Sequence, residues 1–285
     1  MSSTQTIFDS LTPENRWLLQ AAVRSDDIAV KAWTQWRTQV DIETLDDESH
    51  HVLSTLYTNL VCHQIDDAHL ARLKGVHKHT WYSNQLLLRR FRNSLKHLKQ
   101  ACIQPIVRGD LALLATCYKD YGDRYVGCFE IQVSPKDVLV AWRILQQTGW
   151  STHTPGTEAD GTISPMVFRT ESYFKLMLHS HLFKAQPSDH SQASARAVSV
   201  DINGIVTQAL CLIDQLLALI KIINQSDSAQ PLYVLVDAAM LVKQIDTADL
   251  GSQLFVQAQH HDLHQPLQHF LDQLYALFNI PLRSM

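Results

Sequence analysis

Residues 126–133 read Val-Gly-Cys-Phe-Glu-Ile-Gln-Val, and this stretch decides the fold. Side chains alternate across a strand, so Val126, Cys128, Glu130 and Gln132 share one face while Phe129, Ile131 and Val133 share the other. An apolar face opposite a mostly polar one marks a strand covered by a core on one side only.

Working outward, Ser134-Pro135 opens a helix that runs to about Gln147, and Gly149 ends it as a C′ residue. Upstream, a Gly/Asp turn spans 120–123 and a helix is expected from Asp110 to Tyr118. Before that helix, Ile103-Gln-Pro-Ile-Val107 is short and β-like, and Pro105 suggests an edge or irregular strand. Downstream, strands are expected over 162–169 and 172–179. In the second, Phe174, Leu176 and Leu178 form the apolar face, and Tyr173, Lys175, Met177 and His179 the other. Residues 186–196 are polar and Ser-rich and read as a loop.

Both flanks read as helical. Thr12-Pro13-Glu14 and Ser25-Asp26-Asp27 are helix starts, the latter opening a segment with Trp33 and Trp36. A third helix is expected from Glu48 to His63, and a long basic one from Asp66 or Asp67 to Lys99, with Gly75 as an interruption. From Asn203 onward four helices are expected, over 205–223, 231–243, 249–260 and 266–278. The expected class is α+β. Residues 101–200 form a small mixed-sheet core, between a helical region at 1–100 and another at 201–285.

Composition excludes several classes. At 46% hydrophobic and 18% charged the chain can bury a core and is not disordered. No apolar run approaches the roughly 20 residues that span a bilayer, and no basic-then-apolar leader opens the chain. Five widely spaced cysteines (62, 102, 117, 128 and 211) without a CxxC read as free thiols, so a cytoplasmic location is expected. The chain has 24 basic and 28 acidic residues, but residues 72–99 carry eight basic residues and no acidic one. That segment, with Trp81, Tyr82 and Phe91, is a candidate nucleic-acid contact. Against it, Arg89, Arg90 and Arg92 cannot all share a helix face with Lys96 and Lys99, which favours a solvated face.

Ile103-Gln-Pro-Ile-Val-Arg-Gly109, Tyr118-Lys-Asp-Tyr-Gly-Asp-Arg124, Cys128-Phe-Glu130-Ile-Gln-Val133 and Gly149-Trp150 come in an order and spacing of their own. Together they resemble the core of an uncharacterised bacterial nucleotidyltransferase family, within the DNA-polymerase-β-like superfamily. Trp33 and Trp36, Lys74-Gly75 with Trp81, and Leu235-Val-Asp237-Ala-Ala resemble its flanking regions. The resemblance implies nucleotidyl transfer from a nucleoside triphosphate, assisted by two Mg²⁺ ions about 3.5–4 Å apart. In the family, an Asp-x-Asp pair on one strand and a third acid on a neighbouring strand hold these ions.

Set against that pattern, the first Asp falls on Cys128, the second on Glu130 and the third acid on Met177. The Lys of the family's Lys-Gly falls on Arg108, Gly109 and Arg124 are retained, and His179 stands where the family has a His. The resemblance thus implies that Arg108, Gly109, Arg124 and His179 meet nucleotide or phosphate. Glu130 is the one remaining ligand for Mg²⁺, because a thiol and a thioether are soft donors. The expectation is a nucleotidyltransferase-like protein with impaired catalysis, unless Asp110, Asp123 or Glu171 have taken over as ligands. Two alternatives are a non-catalytic module that binds a nucleotide or a protein partner, and a nucleic-acid-binding protein using 72–99.

Other patterns read more plainly. His77-x-His79, His179-x-His181 and His260-His261-x-x-His264 have no Cys or carboxylate at a zinc-site spacing. Cys128 has no Cys-His-Asn surroundings to make it a nucleophile and reads as a buried thiol. The Leu/Ile-rich stretch 210–223 reads as core.

Overall fold

A computed structural model describes residues 8, 10–152, 166–169, 174–183, 187–225 and 231–282. In chain order the elements begin with helices α1 (Pro13–Val23), α2 (Asp27–Gln39), α3 (Asp47–Cys62) and α4 (Leu70–Gln100). Strand β1 (Ile106–Arg108), helix α5 (Gly109–Cys117), strand β2 (Cys128–Gln132) and helix α6 (Val138–Gln147) follow. Next come β3 (Met166–Arg169), β4 (Lys175–His179), α7 (Pro187–Arg196), β5 (Val198–Ile202) and β6 (Ile205–Ala209). The chain ends in α8 (Leu212–Gln225), α9 (Leu232–Thr247), α10 (Gly251–His260) and α11 (His264–Phe278). The fold is α+β, as expected.

The chain packs as two compact units, each discontinuous in sequence. One, helical, comprises residues 1–81, 122–124 and 216–285; the other, built on a sheet, comprises 82–121 and 125–215. In the helical unit α1 packs on α2, α3, α9 and α11. The Thr12 start acts as local chemistry requires, whereas Asp26 stands at the N-cap of α2 without a side-chain cap hydrogen bond. Thr12 Oγ1 accepts from the Asn15 N–H at 3.2 Å and Pro13 takes the first helical position. Asp46 caps α3 by accepting from the Ser49 N–H at 2.7 Å. Trp33 and Trp36 are buried and stacked, their rings 5.7 Å apart.

In the sheet unit six strands lie in the order β3-β4-β2-β1-β6-β5. β2 pairs antiparallel with β1 and parallel with β4, and β1 pairs parallel with β6. The apolar face of β2 carries the core. Phe129 stacks on Phe91 of α4 (4.4 Å between centroids) and meets Trp150 edge-on at 6.2 Å. Phe168, Leu176 and Leu178 extend this layer across β3 and β4. Gly149 adopts φ +89° at the end of α6, and its carbonyl accepts from Arg90 Nη2 at 3.1 Å. Trp150 donates to Ser94 Oγ at 2.8 Å, so its buried N–H is satisfied.

Four expectations need correction. Gly75 does not interrupt α4, which runs 31 residues; one glycine costs about 1 kcal/mol, which a helix of that length absorbs. Pro105 does not mark an edge, because β1 begins one residue after it and lies inside the sheet. Residues 187–196 form α7 rather than a loop. This helix shows little apolar period, since from His190 to Arg196 only Ala193 is fully buried. Finally, 205–209 is not helix but β6, paired with β5 through a two-residue turn at Asn203-Gly204. Both turn residues have positive φ (52° and 80°), as an Asn-Gly hairpin requires. Residues 162–165 and 172–173 of the expected strands lie outside the described residues.

Because Phe129 is the contact shared by α4, β2 and Trp150, Phe129→Ala should destabilise the protein by about 3–5 kcal/mol. Urea denaturation followed by tryptophan fluorescence and by circular dichroism measures this; a loss below about 1 kcal/mol would contradict the packing.

Candidate functional site

The polar face of β2 and its neighbours brings together most of the residues singled out in the sequence. Register fixes the arrangement: Arg108 lies opposite Glu130, Glu130 beside Met177, Cys128 beside Lys175, and Gln132 beside His179. The three positions where the family pattern calls for acids are therefore neighbours on one sheet face, held by backbone pairing.

At the centre is the Glu130 carboxylate. Oε2 is 3.0 Å from His179 Nε2 and 3.5 Å from Arg108 Nε. The His179 contact is within ion-pair distance but off the hydrogen-bond direction. Burial works against ionisation of Glu130, but His179 and Arg108 outweigh it and hold the carboxyl down to about 2. For His179, burial and then Arg108 lower the pKa, and Glu130 only partly offsets them. Arg108 also donates from Nη1 to the His181 carbonyl at 3.2 Å, which fixes its guanidinium beside the sheet.

Gly109 follows β1 and opens α5. Its φ is +59°, and a Cβ there would lie 2.3 Å from Glu130 Oε1. Only glycine combines that backbone with that approach. Asp110, next in α5, accepts from the N–H groups of Gly127 (2.9 Å) and Cys128 (3.1 Å) through one oxygen and so anchors the start of β2.

Cys128 is a poor candidate for a nucleophile. Burial, then the Glu130 charge, push its thiol up to about 12, and its Sγ donates to the Phe129 carbonyl at 3.3 Å. Met177 beside Glu130 adds a thioether.

The remaining candidates lie in the helical unit or outside the described residues. Arg124 is buried, and its Nε and Nη2 donate to the two oxygens of Asp237 at 2.9 and 2.7 Å. The Tyr233 ring lies 5.4 Å from its guanidinium carbon. Asp123 accepts from Thr58 Oγ1 at 2.7 Å and lies 3.2 Å from His77 Nε2. Gly122 leaves room for that imidazole, since a Cβ would meet the His77 ring at 2.4 Å. Glu171 falls outside the described residues.

On the basic helix, Arg89, Arg92 and Lys96 recur at spacings of three and four and are all exposed, while Arg90 turns to Gly149 and lies 5.9 Å from the Trp150 ring. Arg89, Arg92 and Lys96 share a face from which Arg90 is turned away, so the arginines do not all lie together, as the spacing implies.

A family model described as uncharacterised nucleotidyltransferase matches residues 47–279. The chain belongs to that family. No curated protein matches it. Among solved structures it is similar to the lincosamide antibiotic adenylyltransferase LnuA with lincomycin bound, at 13% identity over 54% of this chain and 94% of that one, with a TM-score of 0.40. It is also similar to the antibiotic-resistance factor ANT(2'')-Ia (8% identity, 64% and 100% coverage, TM-score 0.44). A nucleotidyltransferase-like protein from Paracoccidioides brasiliensis gives 13% identity, 67% and 96% coverage, and a TM-score of 0.39. Likeness at this level says nothing of what this chain acts on.

Mg²⁺, which two-metal nucleotidyl transfer implies, does not fit this donor set. A protonated thiol, a thioether and one carboxylate already set against Arg108 and His179 are not the hard oxygen cage the ion needs.

Two outcomes are expected. In a brief iodoacetamide pulse near pH 8 read by peptide mass spectrometry, exposed Cys62 and Cys102 should label about 100-fold or more faster than Cys128. Comparable rates would mean Cys128 is a thiolate. Glu130 has a pKa below its unfolded value, so its contribution to stability is complete above about 4.5 and is lost as pH falls toward about 2. Glu130→Gln should therefore cost on the order of 3 kcal/mol at neutral pH, with the gap to wild type closing in acid. A gap in the urea midpoints that stays constant with pH would contradict the ion pairing.

Proposed function

We propose that this protein keeps the triphosphate-binding face of a nucleotidyltransferase but has lost two-metal catalysis. The observation that carries the reading is the content of the three acid positions. β2 and β4 hold them side by side, and they contain Cys128, Glu130 and Met177. In-line nucleotidyl transfer relies on metal ions to neutralise charge on the transferring phosphoryl group and its leaving pyrophosphate. One carboxylate cannot position two ions, and this one is set against Arg108 and His179. What remains suits binding. Arg108 and His179 carry donors on the same face.

Calorimetric titration of the four nucleoside triphosphates, with a pyrophosphate-release assay on the same samples, tests this. Binding without release above background is expected. Release that disappears in Glu130→Ala would overturn the loss of catalysis, and failure of every triphosphate to bind would turn the search to a protein partner. A gain-of-function variant adds an independent check. Cys128→Asp combined with Met177→Asp rebuilds the carboxylate cluster and should bind Mn²⁺ at least about 10-fold more tightly than wild type by electron paramagnetic resonance. Equal affinity would show that these positions do not form the metal site.

A further inference from the structure

The same sheet face carries two further cations. Lys175 stands beside Cys128 across the β2–β4 pairing, and Arg169 beside Lys175 across β3–β4. Burial alternates along β3 and β4: Phe168, Leu176 and Leu178 face the core, while Arg169, Lys175, Met177 and His179 face outward. Lys175 and Arg169 therefore share the face of Cys128 and Glu130.

Among the described residues no hydrogen bond or ion pair engages either side chain. Their charges act on the site all the same: Lys175 favours ionisation of both Glu130 and Cys128, and Arg169 that of Cys128. Among the described residues they set, with Arg108, three permanent cations against two carboxylates, Glu130 and Asp110. An intact acid cluster at the three positions would leave this face negative until metal bound.

Adjacent strands lie only about 4.8 Å apart. An ammonium at the register partner of the first acid position puts positive charge beside the place where the family's pattern puts a metal ligand. Lysine is a compact charge with three donors and suits phosphate oxygens, and arginine can grip two oxygens at once.

We propose that Lys175, supported by Arg169, takes over the charge-neutralising role of the metal, so that the site binds a nucleoside triphosphate without a divalent cation. The proposal rests on the triphosphate-binding reading above. It gives Lys175 and Arg169 a role in place of the acids replaced at Cys128 and Met177.

The test is calorimetry on the full chain with ATP, and separately with inorganic tripolyphosphate, in EDTA and in excess Mg²⁺. Free ATP carries more negative charge than its Mg²⁺ complex, so binding in EDTA should equal or exceed that in Mg²⁺. Added salt should weaken it. Lys175→Met should lower the affinity at least about 10-fold in EDTA, and Lys175→Arg should retain most of it. Circular dichroism melts establish that both variants fold, and Arg169→Ser, at an exposed position, should weaken binding independently. Binding that requires Mg²⁺, or that Lys175→Met leaves unchanged, would overturn the proposal and leave the triphosphate-binding reading standing. No binding in either condition would remove both.

Discussion

The register of β2 is the constraint on which the rest depends. Because side chains alternate with a period of two, one decision places Phe129 and Ile131 in the core and Cys128 and Glu130 on the opposite face. A slip of one residue would bury the carboxylate and expose the aromatic ring that holds α4 and Trp150. The stacking of Phe91 on Phe129 and the burial of Trp150 therefore do more than fill a core. They fix which residues meet Arg108 on β1 and which meet Met177 on β4. The chemistry of the site is set from behind, by apolar packing.

That dependence explains what could be read in the sequence. The alternation over 126–133 was legible because one face is apolar and the other mostly polar, and the β4 alternation was legible for the same reason. The helix start at Thr12-Pro13 was legible because capping chemistry is local. α7 was not legible: its polar residues show almost no period, and its anchoring comes from Ala193 and from Arg196 reaching Asp214 of α8 at 3.0 Å. The β5–β6 hairpin was legible but overlooked. Val198-Ser-Val-Asp-Ile-Asn-Gly-Ile205 is an alternating run around Asn-Gly, overshadowed by the Leu/Ile-rich stretch after it.

For the site, the family resemblance singled out Arg108, Gly109, Glu130, Met177 and His179, and the sheet brings them to one face. What the sequence could not supply was pairing across strands. Lys175 was placed on the correct face, but only the β2–β4 register puts it beside Cys128. Nor could sequence reveal that the Arg124 guanidinium lies against a carboxylate 113 residues away, an ion pair that depends on helix packing.

The close approach of Gly109 to Glu130 ties the histories of two positions together. The notch left by the missing Cβ is filled by the protein's own carboxylate, and a glutamate reaches one methylene further into it than an aspartate would. A Cβ at position 109 would require the Glu130 carboxylate to move aside, and the left-handed backbone resists the change as well. The two side-chain positions are in contact, so substitutions at them will not be additive. Shortening the acid at 130 should therefore make the glycine at 109 easier to replace.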